Sequence, residues 1–107
     1  DLAGGARCIA ALGDMFELGE AASALHHEVG QAAAAAGVAE VLAVGPLSER
    51  TVAGAVAGGA RGRAFADVEA LGEALSVTLR AGDWLLVKGS RGMRMEQVVQ
   101  RLVGGRR

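Results

Sequence analysis

The chain has 107 residues, 51% apolar and 21% charged, a balance that fits one folded domain over 1–107 and excludes a disordered segment. Its formal net charge of -1 excludes the basic surface that nucleic acid or an anionic membrane would demand, so neither is expected as a partner. No apolar run approaches the ~20 residues of a membrane-spanning helix. Asp1 to Gly5 is neither basic nor followed by a signal-type hydrophobic run, and the single Cys8 cannot close an internal disulfide. A cytoplasmic location is the expectation.

In chain order, Arg7 to Leu12 reads as a short buried strand stopped by Gly13. Glu20 to Ala36 reads as a helix, with Ala22, Leu25, Val29, Ala32, Ala33 and Ala36 on one face and Gly37 as its stop. Val41 to Val44 is a second strand, ended by Gly45-Pro46. A second helix runs from about Leu47 to Val56 with Val52, Ala55 and Val56 inward. Arg63 to Ala66 is a third strand, after which Asp67 caps a helix striped by Val68, Leu71, Leu75 and Leu79. Trp84 to Val87 is the clearest strand, and Trp84 is expected to pack against a helix. A last helix starts near Met93, with Met95, Val98, Val99, Leu102 and Val103 on one face. Residues 104–107 read as a frayed tail.

Strand and helix thus alternate four times. Strands without polar alternation need both faces covered, which implies a mostly parallel sheet between helix layers. Right-handed crossovers then give an α/β, Rossmann-like, three-layer sandwich.

Open sheets of this kind bind ligands at the carboxyl ends of their strands. Two polar, glycine-bearing segments fall there: residues 13–19 after the first strand and residues 88–93 after the fourth. In the second, two glycines permit a close backbone approach, Ser90 and helix-start N–H groups can donate to an anion, and Arg91 offers a fork for carboxylate or phosphate. Ser90 as a helix cap and Arg91 as a solvated charge is the competing structural reading. Asp14, directly after a strand, could meet a ribose hydroxyl, a metal-bound water or an ammonium, or could with Glu17 cap helix one or satisfy loop amides. His26 and His27 are adjacent on a helix and cannot share a metal; His26 reads as a partly buried, hydrogen-bonded residue. No zinc-type ligand spacing and no nucleophile–base pair is visible, and Cys8 reads as inert packing.

The same segments resemble the C-terminal domain of the Mur ligases, specifically the members that add D-alanyl-D-alanine. The resemblance is carried by Ala10 to Met15, Glu17-Leu18-Gly19, His26, Val29-Gly30, Ala43-Val44-Gly45, Phe65-Ala66-Asp67, Gly82-Asp83, Leu86 to Met93 and Met95-Glu96. It implies one domain of a three-domain, ATP-dependent ligase of peptidoglycan precursor synthesis. There ATP phosphorylates the carboxylate of UDP-N-acetylmuramoyl tripeptide and the D-alanyl-D-alanine amine displaces phosphate. It implies contact of Lys88, Ser90 and Arg91 with dipeptide or phosphate, and Asp14 on the nucleotide side of the cleft. ATP and Mg2+ would be bound mainly by a central domain, since neither its Gly-x-x-Gly-Lys-Thr segment nor a set of magnesium ligands is present, and the family's Asn-Ala-Asn-Pro segment would lie upstream of Asp1. N-terminal and central domains of the same ligase are then the partners, no catalytic or metal residue is expected within this chain, and it should be inactive alone. Relatives that add one amino acid carry Lys-Gly-His-Glu where this chain has Lys88-Gly89-Ser90-Arg91, which favours the dipeptide type. A stand-alone anion-binding or regulatory module and a purely structural domain are the readings from other classes.

Overall fold

The computed structural model describes residues 7–14 and 19–89. Within them lie β1 (Cys8–Gly13), α1 (Ala22–Ala35) entered through a 3-10 turn at Gly19–Ala21, β2 (Glu40–Val44), α2 (Ser48–Ala57), β3 (Arg61–Phe65), α3 (Val68–Thr78) and β4 (Trp84–Lys88). The expected last helix lies outside the described residues, as do Ser90 and Arg91 of the fourth-strand loop.

The four strands form one parallel sheet in the order β3-β2-β1-β4. β1 and β2 are central and almost wholly buried, because their Val, Leu, Ile and Ala side chains meet a helix layer on each face. On one face Ile9, Ala11, Leu42 and Val44 pack with Leu71 and Leu75 of α3. On the other, Cys8, Ala10, Leu12, Val41 and Ala43 pack with Ala55 of α2 and Val29 and Ala33 of α1. The three-layer α/β expectation holds. Asp67 caps α3, its carboxylate accepting from the Ala70 N–H at 2.8 Å, and Leu71 and Leu75 bury the expected stripe.

Three local expectations fail, each for a packing reason. Ala32 and Ala36 are exposed, and α1 instead buries His26 and Gly30. The helix is turned toward its neighbour α2 rather than straight down onto the sheet. A Cβ built on Gly30 would stand 2.0 Å from the Thr51 carbonyl oxygen, and one on Gly54 would stand 1.9 Å from the His27 carbonyl oxygen. The two helices therefore meet backbone to backbone. The same tilt leaves Val56 of α2 55% exposed, with Thr51 and Gly54 inward in its place. Trp84 is 62% exposed and Leu86 43% exposed, so among the described residues β4 has only one well-covered face. In register, Trp84 and Leu86 share the sheet side of Cys8 and Ala10, while Leu85 and Val87 turn toward the α3 core.

The edges are tied by charge. Glu40, buried in β2, accepts from Arg63 Nε at 2.8 Å, and Arg63 also donates to Thr78 Oγ1. Arg7 grips Asp83 with two donors and donates to the Thr78 carbonyl, locking the start of β1 to the turn before β4. The Arg7 hydrogen bond, aided by the Arg80 N–H and opposed by burial, holds the Asp83 carboxyl below the usual aspartate range. A carboxyl depressed in the folded state stabilises above its unfolded pKa of ~3.9 and loses that contribution as pH falls through the folded value. Thermal melts between pH 2 and 6 should show acid destabilisation of the parent that is visibly shallower in Asp83→Asn. Equal slopes would remove Asp83 from the acid response.

Candidate ligand site at the switch point of the sheet

β1 hands the chain to β2 on one side, and the crossover through α3 delivers β4 to the other. The strand order therefore reverses between β1 and β4, and their carboxyl ends leave a crevice there. Leu12 and Lys88 stand opposite each other at its rim. A cavity of about 280 Å³ opens at this point, lined by Leu12, Gly13, His26, Val29, Thr51 and Lys88, with Gly89 completing the β4 side.

Each lining group is placed by its element. Leu12, next to last in β1, and Lys88, last in β4, stand on the α1/α2 side of the sheet. His26 and Val29 are three apart on α1 and face the same way. Thr51 reaches in from α2, which the glycine contact brings close to α1. The lining is apolar at Leu12 and Val29 and polar at Thr51 and His26. Lys88, exposed at the end of β4, supplies the cationic rim.

Asp14 is drawn below this surface. It is 3% exposed, and its Oδ2 accepts the Leu47 N–H at 2.9 Å. The carboxylate thus anchors the loop after β1 to the residue that opens α2. It lies so close to Gly45 that a Cβ there would fall 2.5 Å from its Cγ. Among the described residues the other oxygen, Oδ1, has no hydrogen-bond partner, and it stands 3.8 Å from His26 Nε2, too far for a direct hydrogen bond. His26 is 1% exposed, more buried than its sequence suggested, and its Nδ1 lies 2.6 Å from the Ala22 carbonyl oxygen, a contact that places the hydrogen on Nδ1. Asp14 and Lys88 are thus brought to one end of the sheet, with Asp14 behind the wall and Lys88 at the rim. The cavity contributions of His26, Val29 and Thr51 were missed in sequence. A polar residue just after an alanine-rich helix start is a weak signal, and the inward turn of Thr51 depends on the α1–α2 contact. Among the described residues no group of three His, Cys, Asp or Glu side chains is placed to hold a metal ion.

Residues 1–91 match the family model for the C-terminal domain of the Mur ligases, described as the Mur ligase, glutamate ligase domain. The chain belongs to the Mur ligase C-terminal domain family. Among curated members, it is 43% identical over 89 residues to the UDP-N-acetylmuramoyl-tripeptide–D-alanyl-D-alanine ligase of Treponema pallidum, covering 81% of this chain and 19% of that one. It is 43% identical over 93 residues to the ligase of the same name from Escherichia coli, covering 85% and 20%. The chain thus spans about a fifth of the length of these Mur ligases. The fold agrees with that of MurF from Acinetobacter baumannii at a TM-score of 0.75 and 24% identity, over 92% of this chain and 22% of that one. It also agrees with MurF from Thermotoga maritima in complex with ADP at a TM-score of 0.72 and 23% identity, over 95% and 23%. Both solved Mur ligases carry this domain as a minor part of a larger enzyme.

Proposed function

We propose that this chain is the third domain of an ATP-dependent Mur ligase that joins D-alanyl-D-alanine to UDP-N-acetylmuramoyl tripeptide in peptidoglycan precursor synthesis in the cytoplasm. The observation that carries the reading is 43% identity to ligases of that name across 81% and 85% of this chain. The crevice at the β1/β4 switch point agrees with it, since a ligand site lies where such sheets place one.

On this reading the 107 residues form one domain, and it supplies binding rather than activation. Lys88 meets the dipeptide carboxylate or a phosphate oxygen, and Ser90 and Arg91, which follow Gly89 directly in sequence, extend that anion site. Asp14 serves the nucleotide side from behind, by fixing the loop after β1 against the start of α2. ATP and Mg2+ are held mainly by the central domain, and ATP supplies the phosphoryl group that activates the tripeptide carboxylate. Closure of the three domains brings the β1 and β4 loops to that site.

The test is phosphate release by the full-length ligase with ATP, Mg2+ and UDP-N-acetylmuramoyl tripeptide, comparing D-alanyl-D-alanine with single amino acids. The expected result is dipeptide-dependent release, lost by at least tenfold in Arg91→Ala, and no release from residues 1–107 alone. Release driven equally by a single amino acid would overturn the dipeptide assignment, and turnover by the isolated chain would overturn the division of labour.

A further inference from the structure

We infer that His26 is a positioning residue of the ligase: it holds the second oxygen of the Asp14 carboxylate and so sets the loop that follows β1. The inference rests on the ligase reading above, which puts that loop on the nucleotide side. It adds the residue that fixes the loop from within the fold.

Asp14 joins three segments. It stands directly after β1, its Oδ2 accepts the Leu47 N–H that opens α2, and Gly45 leaves it room by lacking a Cβ. Oδ1 is the oxygen left over. It is shut off from solvent and has no hydrogen-bond partner among the described residues. A buried carboxylate oxygen with neither donor nor cation beside it is costly. His26, itself 1% exposed, brings Nε2 to 3.8 Å from it.

The other ring nitrogen decides what Nε2 can offer. Nδ1 stands 2.6 Å from the Ala22 carbonyl oxygen, one turn back on α1, and carries a hydrogen there. With that hydrogen alone, the ring would turn a lone pair toward Oδ1, acceptor against acceptor. With a hydrogen on both nitrogens, it keeps the Ala22 contact and turns a charged N–H toward the carboxylate. Little water screens a pair this deep. Among the described residues the charged side chains beside this ring are Asp14, from the end of β1, and Lys88, which lines the same cavity from the end of β4. From α2 the ring meets the neutral Thr51.

Two amides separate this role from the filling of space. His26→Asn can place an N–H near the Nδ1 position, toward Ala22. His26→Gln can place one near the Nε2 position, toward Asp14. In the full-length ligase with all substrates, His26→Asn should lower kcat/KM for ATP by about tenfold more than His26→Gln. In an Asp14→Ala background that difference should vanish. Hydrogen exchange at the Leu47 amide of the same proteins needs no turnover, and it should be about tenfold faster in His26→Asn than in His26→Gln. Melting temperatures show which variants fold. Should His26→Asn not fold, His26→Leu, which fills the space with no N–H, takes its place in both comparisons. Equal kcat/KM and equal Leu47 exchange in the two variants overturn the assignment, as does a difference that persists in the Asp14→Ala background. A parent without dipeptide-dependent turnover overturns the ligase reading instead, and Leu47 exchange then still decides whether His26 holds Asp14.

Discussion

Replacing Gly54 by Ala should lower the melting temperature by roughly 10–20 °C, a loss of about 3 kcal/mol in a domain of this size. In an open helix the change would help, since alanine favours the helical state by up to ~1 kcal/mol over glycine. Here the new methyl would fall 1.9 Å from the His27 carbonyl oxygen, which is backbone and has no rotamer to escape into. The whole of α1 would have to retreat by more than an ångström, opening its layer over Leu12, Val41 and Ala43. Overpacking against backbone outweighs propensity. Gly30→Ala should act alike, because its methyl would meet the Thr51 carbonyl from the opposite helix. Once the helices have parted for one methyl, the second costs less, so the double variant should lose clearly less than the sum. A Gly54→Ala protein that melts with the parent would show that α1 and α2 are not in backbone contact.

Gly45→Ala is expected to cost about 2–4 kcal/mol through two separate causes. Gly45 has φ 121°, a conformation that side chains with a Cβ rarely adopt. Its Cβ would also fall 2.5 Å from the Asp14 carboxylate. A cycle with Asp14→Ala separates the two. Asp14→Ala alone leaves the Leu47 N–H without its acceptor, at about 1–3 kcal/mol. In the double variant the collision with the carboxylate is gone, while the backbone strain, the unpaired Leu47 N–H and a tight 3.0 Å approach to the Cβ of residue 14 persist, so the summed losses should exceed the measured one by about 1 kcal/mol or more. Strict additivity, read from denaturant midpoints at constant slope, would show that the carboxylate moves aside at no cost.

The sheet was legible because its interior strands are short, apolar and bounded by glycine, and the helical stripe of α3 was legible because it faces one flat surface. Ile9, Leu42, Leu71 and Leu75 are buried as their spacing required. The faces of α1 and α2 were misjudged because side-chain spacing reports apolar residues, while these two helices meet through residues without side chains. Gly30 and Gly54 carry no hydrophobic signal, and their contact turns Ala32, Ala36 and Val56 outward. Trp84 was misplaced for a related reason. An apolar strand end looks the same in sequence whether its strand is central or at an edge, and among the described residues β4 is an edge. At the cavity, Lys88 reads in sequence as the first residue after the fourth strand, and it is the last residue of β4. The burial of Asp14 was not legible, since the Leu47 N–H that holds it lies 33 residues away.

That edge position has a kinetic meaning. β1 and β2 pair across one helix, and so do β2 and β3, whereas β1 must wait for β4 until Arg7 and Asp83, 76 residues apart, come together. Longer closures cost more entropy and add to contact order, so the three-strand unit can form from near neighbours before β4 arrives. The crevice does not exist until that final docking step. A ligand that spans the ends of β1 and β4 therefore binds only once these two strands have paired, and its affinity is also a free energy that holds β4 in place.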